Sequence, residues 1–89
     1  MFEWDAAKSE ANFRDRGFDF EYASRIFASP LLEADDERAV YGERRIQTIG
    51  RVEEDILFVV YTWRGENRRI ISARLANRRE RSVYRQVYG

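Results

Sequence analysis

The sequence contains no cysteine and no histidine. Without cysteine, no disulfide, thiolate nucleophile or zinc–thiolate site can carry the fold or the chemistry. Without histidine, the Ser-His and Cys-His nucleophiles, the imidazole general base and the histidine-ligated metal are all excluded. The acidic, aromatic start of the chain also lacks the basic and apolar regions of a signal peptide. We therefore expect a soluble, unprocessed cytoplasmic protein whose chemistry depends on other side chains.

Long apolar runs and glycine fingerprints are missing as well. No apolar run approaches the roughly 20 residues that cross a membrane, and the five glycines match neither a P-loop nor a dinucleotide-binding pattern. The acidic cluster at Asp35, Asp36 and Glu37 lacks the spacing of a calcium loop, so we interpret it as a solvated loop. The sequence thus predicts neither a metal nor a cofactor.

The charge of the chain is balanced overall but not along its length. The 89 residues, 44% of them hydrophobic, suit a single domain over residues 1–89. Up to Asp55 fourteen acidic residues outnumber eight basic ones, whereas from Ile56 onward there are eight arginines and two glutamates. All basic residues except Lys8 are arginines, which suit bidentate contacts to phosphate. The asymmetry indicates a surface for an anionic partner, with a solvated basic face as the alternative.

Capping residues predict two helices at the start of the chain. Asp5 caps a helix over residues 6–16 that stops at Gly17, and Asp19 caps a second helix that ends near Ala28. Ala7, Ala11 and Arg14 lie on one face of the first helix. Antiparallel strands follow, with a short edge strand first and a β-branched and aromatic central strand in the middle. These predicted strands are residues 31–34, 43–52, 56–63 and 69–74.

A last helix is predicted over residues 77–87. Asn77 is followed three positions later by Glu80, the pattern of a capping box, so Glu80 has a structural role that competes with any catalytic one. The fold class that results is α+β, with two N-terminal helices, a three- to four-stranded antiparallel sheet and a C-terminal helix.

The side chains that remain for chemistry are arginine, tyrosine and carboxylates, which suit phosphodiester cleavage. Arginines bind a phosphate and stabilise the charge that builds on it. In RNA the 2′-hydroxyl is a built-in nucleophile, so neither a protein nucleophile nor a metal is required. Exposed aromatic rings can also stack on single-stranded RNA, with a place in the core as the alternative. The candidates are Tyr61, Trp63, Tyr84 and Tyr88.

Three blocks spread over the chain carry a resemblance to a known family. The first block is Phe2-Glu3-Trp4-Asp5 with Lys8, Asn12 and Gly17. The second is Gly42-Glu43-Arg44-Arg45 with Ile46 and Thr48-Ile49-Gly50. The third is Arg69-Ile70-Ile71-Ser72-Ala73-Arg74 with Ala76, Arg79-Glu80-Arg81 and Tyr84. In this order they resemble the BrnT toxins of bacterial type II toxin–antitoxin systems.

The resemblance implies a RelE-like microbial ribonuclease fold and metal-independent RNA cleavage that inhibits translation. It also implies neutralisation by a BrnA-type antitoxin, which binds operator DNA, and it leaves open a toxin dimer within that complex. Our choice of phosphate binders is Arg44, Arg74 and Arg79. Proton transfer or orientation is assigned to Tyr61 or Glu80. Further RNA contacts are expected from Arg45, Arg69, Arg78 and Arg81.

Two features complicate this assignment. Arg69 and Arg74 are five positions apart on one predicted strand, so they face opposite sides unless the strand twists or bulges. BrnT proteins tend to carry a Lys-His-Gly run where this chain has Asp15-Arg16-Gly17, and a guanidinium does not titrate near neutral pH. Either that histidine is dispensable or cleavage is poor. There are therefore two alternatives: a catalytically weakened relative that acts mainly as an antitoxin-binding subunit, and a stand-alone RNA-binding module.

Overall fold

The computed structural model describes residues 1–36 and 42–89. Within them the chain has an α+β architecture, as predicted. The strands are β1 (Phe2–Trp4), β2 (Leu32–Asp35), β3 (Ile46–Val52), β4 (Asp55–Arg64) and β5 (Asn67–Leu75). The helices are α1 (Ala6–Arg16), α2 (Phe20–Ser24) and α3 (Arg78–Tyr88). Helix α2 continues directly into a 3₁₀ turn over Arg25–Ala28, so the predicted second helix is an α-helix only in its first half.

The strands form one mixed sheet in the order β1-β5-β4-β3-β2. Strand β4 lies in the centre, as its continuous apolar run predicts, and β2 lies at an edge. The predicted purely antiparallel sheet of three or four strands is wrong in one respect, because β1 adds a fifth strand that runs parallel to β5. With only three residues, β1 is too short to show an alternating pattern. It is held by β5 and by the contact of Phe2 with Phe27, whose ring centroids are 5.3 Å apart.

Helix α1 has the predicted boundaries, and polar residues form its buried face. The Asp5 side chain accepts a hydrogen bond from the Lys8 backbone N–H at 3.0 Å, and Gly17 ends the helix with a φ of 85°. The buried residues are Ser9 and Asn12, which lie off the face of Ala7 and Ala11. Ser9 Oγ accepts from the backbone N–H of Phe20, and Asn12 Nδ2 donates to the backbone oxygen of Phe18, each at 2.9 Å. Hydrogen bonds therefore fasten α1 to the start of α2.

Helix α2 and the 3₁₀ turn cover one face of the sheet. Their apolar side chains pack against residues of β3, β4 and β5. This cluster contains Phe18, Phe20, Ala23, Ile26, Val52, Leu57, Val59, Ile70 and Ala73. The layers approach closely at Gly50, where an added Cβ would lie 2.7 Å from the Cβ of Ile26. Only glycine allows this approach without a shift of the 3₁₀ turn.

Helix α3 packs on the opposite face of the sheet. Tyr84 is buried against Ile56 and Ala76, with Leu32 and Ile49 beside them. Since Ile56 neighbours Leu57 along β4, the two point to opposite faces. The α3 cluster is smaller than the first, and part of this face remains open.

The predicted acidic loop is only partly described. Asp35 is the last residue of β2, so it belongs to a strand rather than to a loop. Glu37 lies outside the described residues. No helix in residues 1–36 and 42–89 is long and apolar enough to cross a membrane.

Candidate functional site

A bulge in β5 places two predicted arginines on one face of the sheet. Val60 pairs with Ser72, but the next residue, Tyr61, pairs with Ile70, so Ile71 is an extra residue on β5. On either side of the bulge Arg74 lies opposite Phe58 and Arg69 lies opposite Thr62. Directly paired residues share a face, and Phe58 and Thr62 are four apart on β4. The irregularity that the spacing of Arg69 and Arg74 requires is therefore present.

The side chain of Arg74 is fixed from two directions. Its Nη1 and Nη2 donate to the two carboxylate oxygens of Glu80 at 2.8 and 3.0 Å. Its guanidinium carbon lies 4.2 Å from the centroid of the Phe58 ring, within the range of a cation–π contact. Arg74 is 39% exposed, so this oriented planar group still reaches solvent.

Glu80 combines the predicted cap with the contact to Arg74. Its backbone N–H donates to Asn77 Oδ1, and its own Oε1 accepts from the Asn77 backbone N–H, both at 2.8 Å. The capping box is thus confirmed. The hydrogen bonds from Arg74 lower the pKa of Glu80, with a smaller contribution from Asn77 and against the effect of burial. Glu80 is therefore a carboxylate at neutral pH.

These side chains line an open cleft of about 440 Å³ between the sheet and the start of α3. We call it the arginine cleft. Phe58, Val60 and Ala73 provide its apolar lining. Its polar lining consists of Arg16, Gln47, Ser72, Arg74 and Glu80. Two guanidinium groups and one carboxylate give these side chains a net positive charge, which suits an anionic ligand.

Arg16 reaches the arginine cleft from the last turn of α1. Its Nη1 donates to the backbone oxygen of Ala73 at 3.1 Å and to Asn12 Oδ1 at 3.3 Å. Strand β1 pairs with β5 only as far as Ile70, so Ala73 lies beyond it on the same edge. In the sequence Arg16 stands out only as a departure from a family pattern, and nothing there assigns it to a site. Its separation of 57 positions from Ala73 leaves no local signal.

A sequence model of the family described as ribonuclease toxin, BrnT, of type II toxin–antitoxin systems matches residues 4–80. The chain belongs to the BrnT family. The matched segment contains every residue of the arginine cleft, from Arg16 to Glu80. No curated protein matches the chain at a significant level.

In this BrnT-family chain the other predicted arginines of the C-terminal half lie outside the arginine cleft. Arg69 shares its face but is paired with Glu3, at 3.4 Å. Arg78 and Arg81 line a shallow groove of about 450 Å³ on the outside of α3, together with Arg85. Arg81 also donates to the backbone oxygen of Ala76 at 2.7 Å. Arg79 is exposed on the first turn of α3.

Arg44 and Arg45 lie just before β3, toward the far edge of the sheet. Arg44 Nε is 2.7 Å from Asp35 Oδ1, and this hydrogen bond raises the pKa of its guanidinium. Arg45 is ion-paired with Glu43 at 3.5 Å. The strand predicted over residues 43–52 begins three residues before the observed β3, which starts at Ile46. The prediction therefore placed both arginines on the sheet. They do not line the arginine cleft.

Tyr61 is buried on the face that α2 covers. Its hydroxyl donates to Glu33 Oε2 at 2.6 Å, and its ring meets that of Phe27 edge-on, with centroids 5.2 Å apart. Burial first, and then the hydrogen bond to Glu33, raise the pKa of Tyr61. The structure therefore separates Tyr61 from Arg74 and Glu80 by the thickness of the sheet.

The acidic side chains in the described part of the BrnT-family chain do not form a metal-binding group. Within residues 1–36 and 42–89 no group of three or more potential ligands could hold a metal ion. The side chains that the arginine cleft offers to a ligand are thus two guanidinium groups, one paired carboxylate, an amide and a hydroxyl.

Proposed function

We propose that the arginine cleft is the site at which this toxin cleaves RNA, without a metal ion, and that this cleavage inhibits translation in the cytoplasm. The observation that carries the proposal is the fixed guanidinium of Arg74 in an open, net-positive cleft. This cleft lies wholly within the segment that matches the ribonuclease family. A group oriented before the substrate arrives stabilises transition-state charge without reorganisation.

The reaction that suits these groups uses the RNA's own 2′-hydroxyl. Its oxygen attacks the adjacent phosphorus, a new O–P bond forms, and the bond from phosphorus to the 5′-oxygen of the next nucleotide breaks. The 2′-hydroxyl loses its proton and the departing 5′-oxygen gains one. Arg74 binds the non-bridging oxygens, where negative charge increases in the transition state. The protein then has to supply positioning, charge and proton transfer, but no nucleophile.

Glu80 best fits the orientation of Arg74. Both of its oxygens already accept hydrogen bonds from Arg74, and one also accepts from the Asn77 backbone. A carboxylate with a lowered pKa is a weak base, and proton transfer is most effective when the pKa lies near the working pH. Glu80 therefore acts mainly as a positioning residue, and we expect slow cleavage.

A BrnA-type antitoxin would neutralise the toxin by covering the arginine cleft. The cleft and the outer face of α3 present arginines from Arg74 to Arg85, which complement an acidic segment of a protein partner. Operator DNA would then be contacted through the antitoxin rather than by this chain.

Induced expression tests the enzymatic proposal. The wild-type chain alone should arrest growth and degrade RNA, and Arg74→Ala should relieve both effects. Arg14→Ala, on the exposed side of α1, is the matched control and should behave as wild type. In purified form, cleavage should persist in the presence of EDTA. Normal growth with intact RNA under wild-type induction would overturn the proposal, and loss of cleavage in EDTA with recovery on adding Mg²⁺ would overturn its metal independence.

The second candidate is a weakened toxin that acts mainly as an antitoxin-binding subunit. It is favoured by one observation, that the cleft holds Arg16 and no titratable imidazole. Its signature is a wild-type chain that leaves RNA intact yet forms a stable complex with a co-expressed BrnA-type antitoxin. An RNA-binding module without activity would instead bind RNA and form no such complex.

A further inference from the structure

The two guanidinium groups of the arginine cleft differ in how their charge is balanced. Arg74 is matched by the carboxylate of Glu80. Arg16 is bonded to two neutral oxygens, those of Ala73 and Asn12. Within residues 1–36 and 42–89 no carboxylate forms an ion pair with Arg16. The net positive charge of the cleft therefore originates at Arg16.

The hydrogen bonds of Arg16 also leave some of its N–H donors available to a ligand. An arginine side chain has five N–H donors in a planar fork. The two hydrogen bonds of Arg16 within the described residues both start at Nη1. They hold the guanidinium at the edge of the cleft while Nε and Nη2 can donate to a ligand. Such a fork matches two oxygens of a phosphate.

The position of Arg16 relative to Arg74 suits neighbouring phosphates. Arg16 bonds the backbone oxygen of Ala73, the residue directly before Arg74, and both side chains line the same open cleft. Successive side chains of a strand point to opposite faces, so the side chain of Arg74 lies on the cleft face and that of Ala73 on the other. Arg16 approaches the cleft from the edge of β5, where it bonds the backbone oxygen of Ala73. A chain of phosphates crossing this edge would meet Arg16 and Arg74 in turn.

We propose that Arg16 is a phosphate subsite for single-stranded RNA, binding a backbone phosphate next to the one held by Arg74. This inference rests on the proposed function, which it deepens by naming a residue that recognises the substrate. An arginine at position 16 suits this role, because it contributes a permanent charge that an imidazole lacks at neutral pH.

A structural role for Arg16, tying α1 to β5, is the competing explanation, and the salt dependence of binding separates the two. The probe is a single-stranded RNA oligonucleotide with 2′-O-methyl groups, which cannot be cleaved by its own 2′-oxygen. Each phosphate contact contributes about 0.7 to the slope of log affinity against log salt concentration for single strands. Arg16→Gln should lower that slope by about 0.7 and weaken binding, whereas Arg14→Gln should change neither.

Two further measurements keep the inference falsifiable if Arg16→Gln folds poorly. Arg16→Lys keeps the charge and should retain most of the slope. In the wild-type protein the Arg16 Nε–H resonance should shift when the oligonucleotide is added. An unchanged slope in Arg16→Gln, or an unmoved Arg16 resonance, would overturn the subsite while wild-type cleavage still upheld the proposed function. A wild-type protein that neither binds nor cleaves RNA would overturn both.

Discussion

Arg74 and Glu80 are six residues apart in the chain and form a bidentate ion pair, with N–O distances of 2.8 and 3.0 Å. The same carboxylate accepts a hydrogen bond from the backbone of Asn77 at the start of α3. One side chain thus joins the end of β5 to the N-terminus of α3. The orientation of the proposed phosphate binder and the stability of this helix therefore depend on a single carboxylate.

Glu80→Gln should separate RNA binding from RNA cleavage. Glutamine can still accept from the Asn77 backbone, but it no longer holds both nitrogens of Arg74. We expect single-turnover cleavage to fall by about 10- to 100-fold, the scale of a misplaced catalytic group. Binding of the 2′-O-methyl oligonucleotide should be unchanged or tighter, because a competing negative charge is removed. Glu66→Gln, in the turn between β4 and β5, is the control. Equal losses of binding and cleavage would contradict the positioning role.

The same pair should contribute to stability in a pH-dependent way. The pKa of Glu80 in the folded state lies below its ordinary value of 4.5. Its contribution is therefore present above pH 4.5 and is lost as the pH falls through the lowered pKa. Because Arg74 is 39% exposed, solvent screening limits the contribution to about 0.5–1 kcal/mol. Urea unfolding of wild type and Glu80→Gln should differ by this amount at neutral pH and converge in acid. A difference that persists or grows in acid would show that the ion pair is not its source.

Tyr61→Phe should affect stability and leave cleavage intact. The substitution removes the hydroxyl that donates to Glu33 at 2.6 Å in a partly buried place. Loss of that hydrogen bond should lower the free energy of unfolding by about 1 kcal/mol. RNA cleavage should stay within about twofold of wild type, because Tyr61 faces the α2 side of the sheet and its raised pKa keeps the phenol protonated. A large loss of cleavage at near-normal stability would return Tyr61 to the catalytic group.

The parts of the fold that were predicted correctly are those with local causes. Asp5 and Gly17 mark the ends of α1 because caps act over three or four residues, and the capping box of α3 is another such signal. The buried face of α1 has no apolar pattern in the sequence, because hydrogen bonds rather than apolar contacts hold Ser9 and Asn12. Strand β1 was missed because its order comes from pairing with β5, far along the chain.

The candidate site was predictable only in part for the same reason. Arg74 and Glu80 are close in sequence, and both are candidate site residues in the sequence analysis. The capping role of Glu80 follows from its spacing to Asn77. Their direct pairing and the place of Arg16 depend on how α3 and α1 meet β5. The bulge at Ile71, which puts Arg69 and Arg74 on one face, leaves no mark in the alternation of side chains. Such relationships arise from tertiary packing rather than from local pattern.

Arg16→His should introduce a pH dependence that the wild-type protein lacks. The chain has no histidine, and an arginine side chain is never deprotonated in proteins, so wild-type RNA binding should be flat between about pH 5.5 and 8. An imidazole at this place would be charged below a pKa of about 6.5 and neutral above it. Binding of the 2′-O-methyl oligonucleotide by Arg16→His should therefore weaken as the pH rises through about 6.5. The rate of RNA cleavage should show an inflection in the same range, because the imidazole can then transfer protons within the cleft.

Arg14→His carries the same group on the exposed side of α1 and should stay flat in both assays. If Arg16→His gave flat profiles as well, position 16 would lie outside the path of the RNA.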